Sequence, residues 1–433
     1  MAEILFIIGM GLVIAFIGAK VLNRLGIPQL IGFMLAGIVL GTLGIVDDTL
    51  LESLSPIISL ALGLIGYNIG LELRRDVFSG RLKRLTLIVI FEATAAFWIV
   101  TLLIYLVTQQ LYVALMLGAL SSATAPAATA DVIWENKCQG PVTDSVMYIL
   151  AADDLIAVIL TNSAIAYALF VLDPINNPIQ TIIMTPLIML IGSTVLGAIF
   201  GVAFIQFVNR ENDRARLIEL ELGLVILLVG LVDFLGFNDI FAAIVFGFIV
   251  SNYVRKEKRE IPQVLEIIMS PVVMLFFVII GVKMDLGLFM GAAGLFVIFL
   301  ASLYLTGRTF GKLAGVYIGS RITKSEETVK RYLGSCLMCQ AGVALGLSYI
   351  IESQFLSLGG EAAYYGVLIL SVVGASTMVL ELVGPISVKW GLTKAGEIDQ
   401  DGVCVYPTSY DDDKPLLSET ERDKSADSEI GEP

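Results

Sequence analysis

Apolar runs about 20 residues long recur along almost the whole chain, and this recurrence constrains the fold more than any other feature. A run of that length crosses the hydrocarbon of a bilayer as a single helix. In lipid, every backbone N–H and C=O must be satisfied within the chain, so helices are the default for such runs. The composition agrees: 57% of the residues are hydrophobic and 15% are charged, unlike a water-soluble globule. The chain is therefore expected to be an all-α polytopic membrane protein. Its first run, Ile4 to Leu22, has no basic residue ahead of it and no small-residue cleavage pattern behind it. It reads as a retained span rather than a leader.

Thirteen spans are expected, at roughly 4–23, 28–46, 54–73, 84–108, 111–134, 143–172, 180–208, 217–234, 238–254, 264–282, 287–319, 333–352 and 364–389. Loops after odd-numbered spans are basic, with Arg24, Arg74, Arg75, Lys83, Arg84, Lys137, Arg210, Arg214, Arg255, Lys256, Arg321 and Lys324 among them. Loops after even-numbered spans are acidic, with Asp47, Asp48, Glu52, Asp173, Asp239, Asp285 and Glu361. The positive-inside rule then places the N-terminus outside and the C-terminus in the cytoplasm of a cell membrane. Residues 396–433 carry twelve acids and three bases and read as an acidic, disordered cytoplasmic tail. No basic patch suggests nucleic acid. Cys336 and Cys339, without a second pair or any histidine, make no zinc site. Without imidazole, proton handling falls on carboxylates.

The chain repeats itself. LGIPQLIGFMLAGIVL from Leu25 resembles LGFNDIFAAIVFGFIV from Leu235, an offset of 210. SPIISLALGLIGYNIGL from Ser55 aligns with SPVVMLFFVIIGVKMDL from Ser270, an offset of 215. Two successive matches argue for duplication. Partners lie seven spans apart, so the halves cross the membrane in opposite senses. Inverted repeats of this kind belong to secondary transporters, with the site at mid-depth. Span 5 holds SSATAPAATAD, where Pro126 removes a backbone donor, and unwinding is expected from Thr124 through Ala125 and Pro126 to Ala127. Its repeat, span 12, holds CQAGVALGL with Gly342 and Gly346. Two crossed broken helices at equivalent places are the sequence pointer to a transport site.

Charges inside spans are few. Asp153 and Asp154 sit near the middle of span 6, and each costs at least ~2.5 kcal/mol to insert there. Adjacent residues point about 100° apart on a helix, so one faces the opened backbone while the other faces a helix neighbour. Oxygen ligands for a hard monovalent cation are at hand in Asp154, Thr124 and the carbonyls near Ala125. Protons and the cation would compete for one carboxylate, and competition with a two-state site is antiport. Glu92 in span 4 and Arg308 in span 11 occupy equivalent positions of the two repeats, and a buried Glu92–Arg308 ion pair beside the aspartates is expected. Lys312 lies in span 11 as well. Lys283, at the end of span 10, is expected to snorkel to the outer surface.

In the order LGIPQLIGFMLAGIVLG, SSATAPAAT, LAADD and FFVIIGVKMDL, these segments resemble the cation–proton antiporters, in the branch with an Asp-Asp pair in the sixth of thirteen helices. The resemblance covers residues 1 to about 390. It implies a homodimer, with a scaffold from residues 1–73 and 217–282 and a mobile ion-carrying core from 84–172 and 287–389. It also implies exchange of a monovalent cation, sodium first, for H+ by an elevator-like motion, serving pH homeostasis. Asp154 would be the main carrier. Asp153 would lie near a base of span 11, here Arg308, where many relatives have lysine. Some relatives carry a glutamate at the place of Glu92. An Asp-Asp pair leans towards electrogenic exchange, but arginine does not release its proton. No cofactor and no enzymatic activity are implied.

Alternatives remain within and beyond the fold. A potassium/proton antiporter shares every feature. No GxGxxG stretch follows the last span, so the nucleotide-binding domain of some potassium-handling relatives is not expected. A sodium-coupled organic-anion symporter would need a wider pocket and anion-binding groups, against the acidic balance of Asp153, Asp154 and Glu92. An intramembrane aspartyl protease needs its aspartates on different helices, and no GxGD stretch is present.

Overall fold

The computed structural model describes residues 2–398, apart from 26, 45, 47, 74–81, 173–183, 212, 255–259 and 285. Helices follow one another as α1 (Ala2–Asn23), α2 (Gln29–Thr42), α3 (Asp48–Ser53), α4 (Ser55–Glu72), α5 (Leu82–Thr108) and α6 (Leu111–Ser122). Next come α7 (Pro126–Glu135), α8 (Pro141–Leu172), α9 (Thr185–Val208), α10 (Arg214–Phe234), α11 (Asp239–Tyr253) and α12 (Glu260–Lys283). The chain ends on α13 (Gly291–Ile322), α14 (Glu327–Tyr332), α15 (Gly342–Leu358) and α16 (Gly360–Ala395). No strand occurs among the described residues. Among the described residues, eight helices, counting α6–α7 as one, are long and apolar enough to cross a membrane. The pair formed by Glu327–Leu337 and Gly342–Leu358, bent by 50°, makes a ninth. Each expected span coincides with a helix or a broken pair. Shorter apolar helices fall on the second, ninth and tenth.

The duplication is visible in the packing. Helix α2 lies against α12, and α11 lies against α4. An exchange of the two halves turns one pairing into the other. A methyl group on Gly37 would meet the Val278 carbonyl oxygen at 2.0 Å, and one on Gly247 would meet that of Tyr67 at 2.2 Å. Those glycines are 210 residues apart, and their carbonyl partners 211. The offset of 215 read from the Ser-Pro dipeptides is thus one helical turn out of register in space. The reason is local: Pro56 opens α4, whereas Pro271 lies inside α12. Proline is tolerated in both settings and marks no common depth.

Between the halves, α5 and α13 pack along a ladder of small residues. A methyl on Gly311 would come within 2.5 Å of Ala96 Cα, and one on Gly315 within 2.6 Å of Glu92 Cα. Gly307 and Gly319 extend the row towards Val100 and Ile88. Small residues every four positions let two membrane helices approach to backbone contact. This ladder sets the depth at which charges on α13 face Glu92.

The start of the expected tail is part of the fold. Glu397 is fully buried. Its carboxylate accepts from the amides of Val142 (2.7 Å) and Thr143 (2.8 Å) and from the Thr143 hydroxyl (2.5 Å). It acts as an N-terminal cap for α8 supplied from the far end of the chain. The described chain therefore stays packed through Ile398, which is 3% exposed. The remainder of the expected tail, 399–433, lies outside the described residues, as do Arg74, Arg75, Arg255 and Lys256 of the basic loops. Glu397→Ala is expected to lower stability by about 0.5–2 kcal/mol, the range for a lost cap, read as a lower melting temperature in detergent.

Candidate functional site: two broken helices and five buried charges

Helix α6 ends at Ser122, and residues 123–125 are extended, with Ala123 at φ −64°, ψ 143° and Ala125 at φ −80°, ψ 115°. Helix α7 restarts at Pro126. A proline at the first helical position loses nothing, because its N–H would be unpaired there anyway. The break therefore lies just ahead of Pro126, rather than running through it to Ala127 as expected. In the second repeat, the 3-10 turn Leu333–Leu337 ends and α15 begins at Gly342. The two interruptions touch: the Ala125 amide donates to the Cys339 carbonyl at 3.0 Å.

Each break leaves helix-end carbonyls without intrahelical partners. Two cations of α13 take them. Arg308 donates from Nη1 to Met338 O (2.8 Å) and from Nη2 to Ala123 O (2.8 Å) and Cys339 O (3.0 Å). Lys312 Nζ donates to Ser122 O (2.8 Å). Both side chains are completely buried. A cation at a helix C-terminus also opposes the negative end of the helix dipole.

Lys312 is the hub of the charge cluster. Its ammonium pairs closely with Glu92 Oε1, donates to Thr124 Oγ1 at 2.8 Å and reaches Asp153 Oδ2 at 3.4 Å. The Thr124 hydroxyl donates in turn to Asp153 Oδ2. The expected Glu92–Arg308 pair is not formed. Arg308 spends its guanidinium on the broken-helix carbonyls, and Lys312 holds Glu92. The base beside Asp153 is likewise Lys312 and not Arg308. The physical reason is the register of the glycine ladder, which sets Glu92 beside Gly315, less than one turn from Lys312.

Asp153 and Asp154 do face different surroundings. Asp153 has Thr124 and Lys312. Neither buried carboxylate oxygen of Asp154 has a hydrogen-bond partner. The backbone of Thr124 is turned towards Asp154, while its hydroxyl is committed to Asp153. Gly342 stands at the start of α15 and packs towards Ile65 and Phe277 of the other helices. Sequence reasoning also passed over Gln340. It lies in the second break and is fully buried, donating to Leu120 O at 2.8 Å and pairing with the Tyr304 hydroxyl. A glutamine inside an apolar run was the available signal.

Lys283 does not snorkel. Its ammonium binds both carboxylate oxygens of Glu352 at 2.9 and 2.8 Å and lies over the Tyr349 ring, 4.9 Å from its centre. Glu352, on α15, is 4% exposed. A carboxylate across the interface is a stronger attraction than the membrane surface at this depth.

Five fully buried ionisable groups thus surround the two breaks. A family model described as sodium/hydrogen exchanger, transmembrane, matches residues 11–394. The chain belongs to this family. It is an integral multi-pass membrane protein and, by family, a cation/proton antiporter rather than an enzyme. The solved structure of the sodium proton antiporter MjNhaP1 from Methanocaldococcus jannaschii at pH 8 is similar, with a TM-score of 0.75 and 17% identity over 90% of this chain and 98% of that one. An electron-microscopy structure of the same antiporter gives a TM-score of 0.67 at 17% identity, over 90% and 96%. The likeness shows a shared fold. None of the curated proteins matches the sequence.

Proposed function

We propose that the exchanger moves a monovalent cation, sodium first, against protons, with Asp154 as the group both share. The observation that carries this reading is the pair of unpartnered oxygens of Asp154, buried beside the two breaks. An unpaired buried carboxylate is unfavourable unless a proton or a cation meets it. The cluster around it sharpens the point. Three carboxylates, Glu92, Asp153 and Asp154, face two bases, Arg308 and Lys312, all with 0% exposure. With all five ionised, one positive charge is wanting, and one proton or one alkali ion supplies it. Asp153 and Thr124 would complete the oxygen set around the cargo, with carbonyls freed near Ala125. Sodium is favoured over potassium because the structurally similar MjNhaP1 is a sodium proton antiporter.

The base beside Asp153 also bears on stoichiometry. A lysine releases its proton when desolvated, whereas an arginine does not. Lys312 at this place therefore restores the electrogenic leaning of the Asp-Asp branch. The decisive measurement is proton movement in proteoliposomes under an imposed pH gradient, with lithium, sodium and potassium titrated separately. Proton flux driven by none of the three would overturn the assignment.

Alternating access by an elevator belongs to the same proposal, with α5–α8 and α13–α16 as the moving core and α1–α4 and α10–α12 as the scaffold. A homodimer with an outside N-terminus, as the family resemblance and the loop charges imply, completes it. The Lys283–Glu352 pair joins α12 to α15, one helix from each part. It must part if the core slides. Glu352→Gln is expected to shift the balance of the two access states. The readout is the ratio of cation KM values measured from the two membrane faces, and an unchanged ratio counts against sliding.

A further inference from the structure

A second carboxylate lies on the other side of the second break and plays no part in the cluster around Asp154. Glu381 of α16 is 3% exposed, and its buried Oε1 has no hydrogen-bond partner. Its place is set by the packing of α16 against the break. A methyl on Gly384, less than one turn further along, would lie 2.5 Å from Cys339 Sγ. Glu381 is near enough to Cys339 for the two to interact electrostatically, and Thr129 of α7 turns its hydroxyl to the same thiol. Thr129 is fully buried, and its Oγ1 completes no hydrogen bond of good geometry. One turn before Glu381 on the same face, Thr377 repeats the situation: fully buried, with an unpartnered hydroxyl.

Glu381 Oε1 and Thr377 Oγ1 are buried oxygens without a hydrogen-bond partner, and Thr129 Oγ1 has only the Cys339 thiol to turn to. Thr129 faces inward from α7, whose opposite side carries the exposed Ala127 and Asp131, and Asp131 is near enough to Glu381 for their charges to repel. Buried carboxyls as a rule find a partner, and Glu381 Oε1 has none. Oxygen donors of this type suit a hard cation.

We infer that Glu381, Thr129 and Thr377 form an auxiliary cation site, which receives an alkali ion from the Asp131 side before it reaches the broken helices. The inference rests on the reading of Asp154 as carrier, since a waiting site has meaning only for a transported cation. Glu381→Gln keeps the shape of a protonated glutamate and removes the charge. It separates a binding site from a neutral polar residue of the core, for which glutamine is equivalent. In inside-out and right-side-out vesicles, Glu381→Gln should raise the sodium KM about tenfold from one face only, with the maximal rate changed less than about twofold. An unchanged sodium KM from both faces overturns the inference.

Equilibrium binding of radioactive sodium separates the two readings. Asp154→Asn should retain a weak saturable sodium site, and Asp154→Asn combined with Glu381→Gln should lose it. If Asp154→Asn is inactive and binds no sodium, the auxiliary site is refuted while the carrier assignment stands. If Asp154→Asn still exchanges, the carrier assignment itself fails. Thr129→Val with Thr377→Val leaves the carboxylate in place and should raise the same one-sided KM. This pair keeps the test open should Glu381→Gln not fold, and wild-type values in it count against the site.

Discussion

Asp154→Asn is expected to abolish sodium-driven proton movement while leaving the protein folded. Asparagine has the shape of aspartate but carries no charge and takes up no proton in the physiological range. A buried cation deprived of its counter-charge loses about 3–5 kcal/mol, which corresponds to about 10²–10³-fold or more in affinity. The folding consequence runs the other way. Neither carboxylate oxygen of Asp154 completes a hydrogen bond in the structure, and asparagine keeps an oxygen for the Thr124 backbone to face while removing an uncompensated buried charge. Its melting temperature should therefore match or exceed that of the wild type. Exchange in Asp154→Asn liposomes at a rate near wild type would sink the carrier assignment.

Lys312→Met should give the opposite pattern, with a severe loss of stability. It strips the counter-charge from Glu92 and Asp153 together and leaves Ser122 O without its donor. Breaking a buried pair from one side costs about 3–5 kcal/mol. The partner assignment is tested by double-mutant cycles, which isolate the pairwise part. Glu92→Gln combined with Lys312→Met should recover a good part of the loss. Glu92→Gln with Arg308→Gln should couple much more weakly than Glu92→Gln with Lys312→Met, because Arg308 donates to carbonyls and not to Glu92. Strong coupling between Glu92 and Arg308, with none between Glu92 and Lys312, would reinstate the pair expected from the repeat offset.

That contrast marks the boundary of what sequence reasoning reached. The offset between repeats brought Glu92 level with α13 but not to one residue of it. Arg308 and Lys312 are four apart and share a face, so helix periodicity admits either partner. Only the backbone contact of Gly311 and Gly315 with α5 settles the depth. A slip of one turn exchanges the two bases. The same uncertainty of one turn displaced the second half of the repeat alignment. Lys283 was misjudged for a related reason, since its partner Glu352 is 69 residues away in sequence. No local pattern links them.

What the sequence determined by itself is what depends on local composition and order. Apolar run length dictates helices in lipid, and a proline among small residues dictates a break near Ala125. Two adjacent aspartates on one helix must point to different neighbours. The tertiary structure decided which charges meet. It assigned Lys312 to Glu92 and Asp153, gave Arg308 to the helix-end carbonyls, left Asp154 unpartnered and set Glu397 over the start of α8. These outcomes follow from distances of a few ångströms between helices remote in sequence, and electrostatic pairing in a buried site changes with every ångström.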